Sequence, residues 1–167
     1  MRGLLAVIGM EHVRLADLER VSSLSPATVL TVPGRALGTT DVAINYFELE
    51  PGDALGYDYH RHRDQEEVFF VRSGIVTFRT ESGPVAVSAD ELIRFGPDEF
   101  QLGENRGTDR AVVLGLGAPA ETTEIQYRRR CPACEAETLQ EPTVDRDART
   151  ITIACVACET DIETHDL

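Results

Sequence analysis

The stretch Tyr57–Gly74, YDYHRHRDQEEVFFVRSG, decides how the rest of the chain is read. It sets His60 and His62, two of only four histidines in 167 residues, two apart and just ahead of Glu66, Glu67 and an apolar run. In an extended strand alternate side chains share a face, so the two imidazoles point the same way. A turn at RDQE then leads into a second strand that Glu67 begins. Two adjacent strands thus bring two imidazoles and a carboxylate to one wall. If that wall lines a barrel, they converge inside it, as the set of two histidines and one carboxylate that holds non-haem Fe(II) in oxygenases.

Outward from this stretch, residues 27–117 form a series of short strand-like runs. They include TVLTV, VAINYFEL, EVFFVRSG, IVTFRTE, VAVS, ELIRF and RAVVLGLG, separated by turns such as EPGD, ESGP, GPDE and ENRGTD. Many short strands with turn signals about 8–12 residues apart predict an all-β sandwich or barrel. Only EHVRLADLERV, at 11–21, has helical periodicity. The segment LGAPAETTE reads as a linker.

The composition is that of an ordinary globular protein with an unusual charge, −13, in which all 16 basic residues are arginine. Molar salt shortens the screening length to about 3 Å and removes the self-repulsion of such a surface. Salt adaptation and GC-rich codon bias are the two readings of this pattern. No basic stripe is present to replace the counterions of a nucleic acid. The N-terminal MRGLLAVIGM lacks a full apolar core and cleavage site, so it is not read as a signal peptide, and a cytoplasmic location is expected. Met10 is a second possible start, which would make residues 1–9 an upstream extension.

The stretch HRHRDQEEVFFVRSG resembles the first motif of the cupin superfamily, H-x-H-x(3,4)-E-x(6)-G, with His60, His62, Glu67 and Gly74 in register. Glu66 satisfies the shorter spacing, but Glu67 alone has six residues between it and Gly74. Ala54 stands where a glycine is usual. A second motif, P-x-G-x(2)-H-x(3)-N, is followed in outline by ADELIRFGPDEFQLGEN, with Asp98 in the glycine slot, Gln101 in the histidine slot and Asn105 at the end. The resemblance covers about residues 40–117. It implies a cupin jelly-roll barrel over 25–118, after an N-terminal segment 1–24, and a homodimer. It also implies a divalent metal (Fe, Mn, Ni, Cu or Zn) on His60, His62 and Glu67, with Gln101 beside it. Gln101 either completes the site through its amide oxygen or leaves a position open. The competing reading keeps the two histidines as hydrogen-bonding groups in a cupin without metal. By strand parity Phe69, Val71 and Asp58 should face inward; Tyr46, Phe78 and Arg94 are candidate pocket residues, Arg94 as a clamp for a substrate carboxylate.

Beyond a linker at 119–125, CPAC and CVAC place Cys131, Cys134, Cys155 and Cys158 in the pattern C-x2-C-x20-C-x2-C. Paired knuckles of this kind predict a structural zinc ribbon over 126–167, with rubredoxin-like iron as the alternative. Glu135 and Glu159 stand where knuckles often carry glycine, so each turn is expected to be somewhat strained. Two function classes follow: a small metal-dependent oxygenase, in which Glu67 doubles as a base, and a ligand-binding or regulatory module. Arg128, Arg129 and Arg130 are the one feature that suits DNA contact by the ribbon.

Overall fold

The structure, a computed structural model, describes residues 9–21 and 25–166. The extension expected at 1–9 therefore lies almost wholly outside the described residues. In chain order the elements are β1 (Val29–Thr31), α1 (Pro33–Leu37), β2 (Ala43–Leu49), β3 (His60–His62), β4 (Glu66–Ser73), β5 (Ile75–Thr80) and β6 (Gly83–Ser88). They continue with β7 (Glu91–Phe95), β8 (Gln101–Glu104), β9 (Ala111–Ala118), β10 (Ile125–Cys131), β11 (Ala136–Asp145), β12 (Thr150–Cys155) and β13 (Asp161–Asp166). All-β architecture is what the strand rhythm predicts. Two sheets face each other, one ordered β1-β2-β9-β4-β7 and the other β13-β12-β11-β10-β3-β8-β5-β6.

The inward positions follow from alternation. Along β9 every second residue from Ala111 to Gly117 is buried, and its neighbours supply Phe47 and Leu49 from β2 and Phe69 and Val71 from β4. Phe69 lies opposite Gly115, where a methyl group would come within 3.2 Å of the Phe47 and Phe69 rings. Large side chains are thus seated against missing ones. Phe78 and Phe95 close the core around Phe69 with ring centroids 5.3–6.3 Å apart. Two candidates are corrected here, since Phe78 belongs to this core and Tyr46 turns outward to Glu48, 2.9 Å away.

Motif residues have local reasons. Gly74 sits at φ +75° between β4 and β5, and a Cβ there would come 2.7 Å from the Ala111 Cα and the Arg110 carbonyl. Asp98, in the slot usual for glycine, takes φ +68°, which aspartate tolerates better than most residues. Asn105 is buried and donates to the carbonyls of Leu49 and Asp109, closing the loop before β9.

The helical periodicity at 11–21 yields only one 3-10 turn, Leu15–Asp17. It has no side-chain cap and no buried residue, so nothing offsets the cost of nucleating a short helix. Among the described residues the one α-helix is α1, in a stretch that reads as a turn. The strand entering the cysteine segment, β10, pairs with β3, so one sheet runs from the barrel into the cysteine hairpins. Among the described residues no helix is long and apolar enough to cross a membrane.

Gly74→Ala should cost about 2 kcal/mol or more, combining left-handed strain with a backbone clash. Gly38→Ala, at φ +68° with open space around it, should cost about 1 kcal/mol. Denaturant unfolding of the two variants checks this, and equal losses would refute the role of the close approach.

Candidate metal centres

Strand β3 is paired on both edges, His60 facing Gln101 of β8 and Tyr127 of β10. Glu67 enters from β4 in the opposite sheet. His60, His62 and Glu67 each bring a ligand atom within 4.8 Å of the other two. The Nε2 of His62 lies 3.7 Å from a Glu67 oxygen. Gln101 sits inside the group, its amide nitrogen 3.2 Å from His60 Nε2 and 2.9 Å from the other Glu67 oxygen. Its amide oxygen is buried without a hydrogen-bond partner.

Hydrogen bonds fix which ring nitrogen faces the site. His60 Nδ1 donates to the Asp58 carbonyl at 2.8 Å, leaving the Nε2 lone pair inward. Thr122 donates its hydroxyl proton to Asp64, so its oxygen accepts from His62 Nδ1 at 3.2 Å, and that Nε2 also keeps a lone pair. Bonds from Thr122 and Thr123 hold Asp64 down to about 2. Burial lowers both histidines, His62 to about 4 with His60 beside it, so both are neutral at pH 7. Burial lifts Glu67 to about 7 against the bond from Gln101. Thr122 and Asp64 escape the sequence reading, because a linker threonine gives no sign that it braces a histidine sixty residues away.

The group opens on a cavity of about 370 Å³. Its apolar wall includes Leu30, Phe47, Leu55, Phe69 and Ile125, and Asn45, Gln65 and Tyr127 bring polar atoms to it. Among the described lining residues none is arginine or lysine. Arg94, expected here, instead pairs with Glu66 at 2.7 Å on the outer face, and its side chain is 58% exposed. Strand alternation places it there, one residue from inward-facing Phe95 and Ile93. Asp58 also departs from its expected place, turning to Arg129 at 2.9 Å, because residues 56–59 lie before β3 and do not share its parity.

The second group is Cys131, Cys134, Cys155 and Cys158, whose sulfurs all lie within 4.8 Å of one another. Cys131 and Cys158 are 3.8 Å apart, and Cys134 and Cys155 3.9 Å. Four sulfurs set tetrahedrally around an ion at about 2.3 Å have edges of about 3.8 Å, so the spacing fits a metal. Thr138 holds Cys155 down to about 6 and Thr160 lowers Cys158, while neighbouring thiols push Cys134 up to about 12. A cation would remove that mutual repulsion. Glu135 and Glu159 take φ +54° and +58°, the left-handed turns expected of them. Of the arginine run, Arg128 lies 4.0 Å above the Phe100 ring and pairs with Glu81, and Arg129 pairs with Asp58 and Glu163. Two of the three cations offered for DNA contact are therefore engaged within the protein.

Glu67 has a folded pKa above its unfolded value, so its contribution to stability is present below about pH 4.5 and is lost as pH rises through 7. At pH 8 the buried charge costs up to about 3 kcal/mol. Glu67→Gln in excess chelator should leave the melting midpoint unchanged at pH 4 and raise it by about 6 °C or more at pH 8. Parallel pH profiles for parent and variant would refute the buried-carboxylate account.

Comparison with known proteins bears on the barrel. A family model for the Cupin domain matches residues 45–116. A sugar phosphate isomerase from a cupin superfamily, of Silicibacter pomeroyi, superposes with TM-score 0.60 at 18% identity over 93% of this chain and 92% of its own. A Klebsiella pneumoniae protein with a double-stranded β-helix domain gives 0.56 at 17% identity over 76% and 96%. A predicted oxalate decarboxylase of Thermotoga maritima gives 0.55 at 19% identity over 65% and 99%. No curated protein matches the chain. The four cysteines lie beyond the matched residues, whereas His60, His62, Glu67 and Gln101 lie within them. The barrel that carries these four residues, 45–116, is a cupin domain.

Proposed function

We propose that this protein is a metal-dependent cupin whose barrel holds a divalent transition metal on His60, His62 and Glu67. The observation that carries the reading is the pair of braced, neutral imidazoles with both Nε2 lone pairs aimed at one carboxylate. The orphaned Gln101 oxygen supports it, since a half-turn of that amide would present the oxygen where its nitrogen now points. When bound, a redox-active ion supplies the Lewis acidity and electron chemistry that an oxygenase needs.

The chain's own residues then select and hold the ligand. At about 30 Å³ for each water-sized group, the cavity takes a molecule of on the order of ten heavy atoms. Its apolar wall and the neutral polar groups of Asn45 and Tyr127 suit a small organic compound with few charges. A phosphate would meet no cationic side chain among the described lining residues. Zinc, with iron as the alternative, is proposed for the cysteines, and a homodimer in a reducing cytoplasm for the whole chain.

A second reading rests on one observation. The Gln101 amide hydrogens already satisfy His60 and Glu67, as they would in a cupin that binds its ligand without metal. Metal analysis after replacing Cys131 and Cys155 separates the two readings. Roughly one ion per chain, with affinity rising through pH 7 as Glu67 ionises, supports the first; no ion supports the second. Gln101→His should tighten the ion about tenfold or more, within the range that a histidine ligand shell controls. Unchanged affinity would mean that Gln101 takes no part.

A further inference from the structure

The barrel triad and the cysteine cluster are joined by side chains that belong to neither. We propose that Arg129 and Asp58 are positioning residues for His60, and that they tie its orientation to the state of the cysteine cluster. The inference rests on the metal-binding reading above.

The first link is the Asp58 carbonyl, whose bond to Nδ1 decides which nitrogen of His60 faces the site. Residues 56–59 belong to no strand, so no ladder holds that carbonyl in place. Two bonds from β10 hold it instead. The Arg128 amide donates to the Tyr59 carbonyl at 2.9 Å, and Arg129 Nη1 donates to the Asp58 carboxylate at 2.9 Å.

The second link is Arg129 itself. Its Nη1 also donates to Glu163 of β13 at 3.1 Å, and its Nε donates to the amide oxygen of Gln140 on β11. Three strands of the cysteine hairpins, β10, β11 and β13, therefore converge on one half-buried guanidinium. That guanidinium grips a single loop of the barrel.

The third link reaches the sulfurs. Gln140 is fully buried and is the cross-strand partner of Cys155, while Arg129 lies two residues before Cys131. A cation on the cysteines cross-links the β10–β11 turn to the β12–β13 turn and so holds Gln140 and Glu163 around Arg129. Without it the hairpins can part, Arg129 loses partners, and the Asp58 loop no longer selects one tautomer of His60. A hydrogen-bonded path alone does not establish coupling; both sites must bias the same element, here the Asp58–His60 bond.

Co(II) titration of the full chain tests this, because thiolate-to-cobalt absorption reports the cysteines and weaker visible bands report the barrel. Emptying the cluster with Cys134→Ser and Cys158→Ser together should weaken Co(II) in the barrel about tenfold, within the usual range of coupling between sites. Asp58→Asn should cause a similar loss, Asp58→Glu should restore part of it, and combining Asp58→Asn with the cysteine pair should add little further. Equal barrel affinities, or fully additive losses, would overturn the proposal. Ring 15N spectra give a second readout that does not depend on a barrel metal. With zinc on the cysteines His60 should hold its proton on Nδ1, and in Asp58→Asn or the emptied cluster both tautomers should appear. If the parent barrel takes up no Co(II), the metal reading has failed while the ring spectra still decide the coupling; identical spectra in all forms overturn it.

Discussion

Backbone pairing on both edges of β3 is the constraint on which the rest of the structure depends. Three residues make a marginal strand by themselves. Held between Gln101 of β8 and Ile125–Tyr127 of β10, the same three residues become a fixed rail. That rail sets two imidazoles on one face and brings Gln101 directly opposite His60. It also passes the sheet from the barrel to the cysteine hairpins, so the two candidate metal centres share one backbone framework.

The electrostatics of the barrel follow from desolvation rather than from neighbouring charge. Neither His60 nor His62 is charged at neutral pH, so Glu67 has no cation among its closest partners and shares its proton near 7. The Gln101 amide is the group that the protein itself places against this carboxylate. A buried site with one titrating acid, two inward lone pairs and one turnable amide is unbalanced without a cation and balanced with one. The cysteine cluster shows the same logic in sulfur: four thiols cannot all ionise together, and two threonine hydroxyls already favour the anions of Cys155 and Cys158.

The arginine-only basic set has a visible use at the seam between barrel and hairpins. Arg61 and Arg128 lie 4.8 and 4.0 Å from the Phe100 ring, and Arg79 covers Tyr59 at 4.3 Å. Guanidinium stacks flat on aromatic faces and is less strongly hydrated than an ammonium, so it can be half-buried there at lower cost. The outer arginines, such as Arg110 with Glu48 and Glu50, make exposed pairs whose individual contribution is small.

What the sequence alone determined was whatever depends on short-range pattern. Period-two alternation marked the inward face of β4, the spacing of His60, His62, Glu67 and Gly74 marked the barrel site, and two C-x-x-C pairs marked the cluster. Left-handed turns at Asp98, Glu135 and Glu159 were legible as slots where glycine is usual. The helical periodicity at 11–21 misled, because period describes a face and not whether anything packs against it. Tertiary structure alone decided which residues work together across long separations. Thr122 and Asp64 brace His62, Asp58 turns from the cavity to Arg129, and Arg94 lies outside the barrel. The contacts of Thr122 and of Asp58 depend on the register by which β10 meets β3, and no local signal encodes a register between strands sixty residues apart; Arg94 is placed by the alternation of β7 against β4.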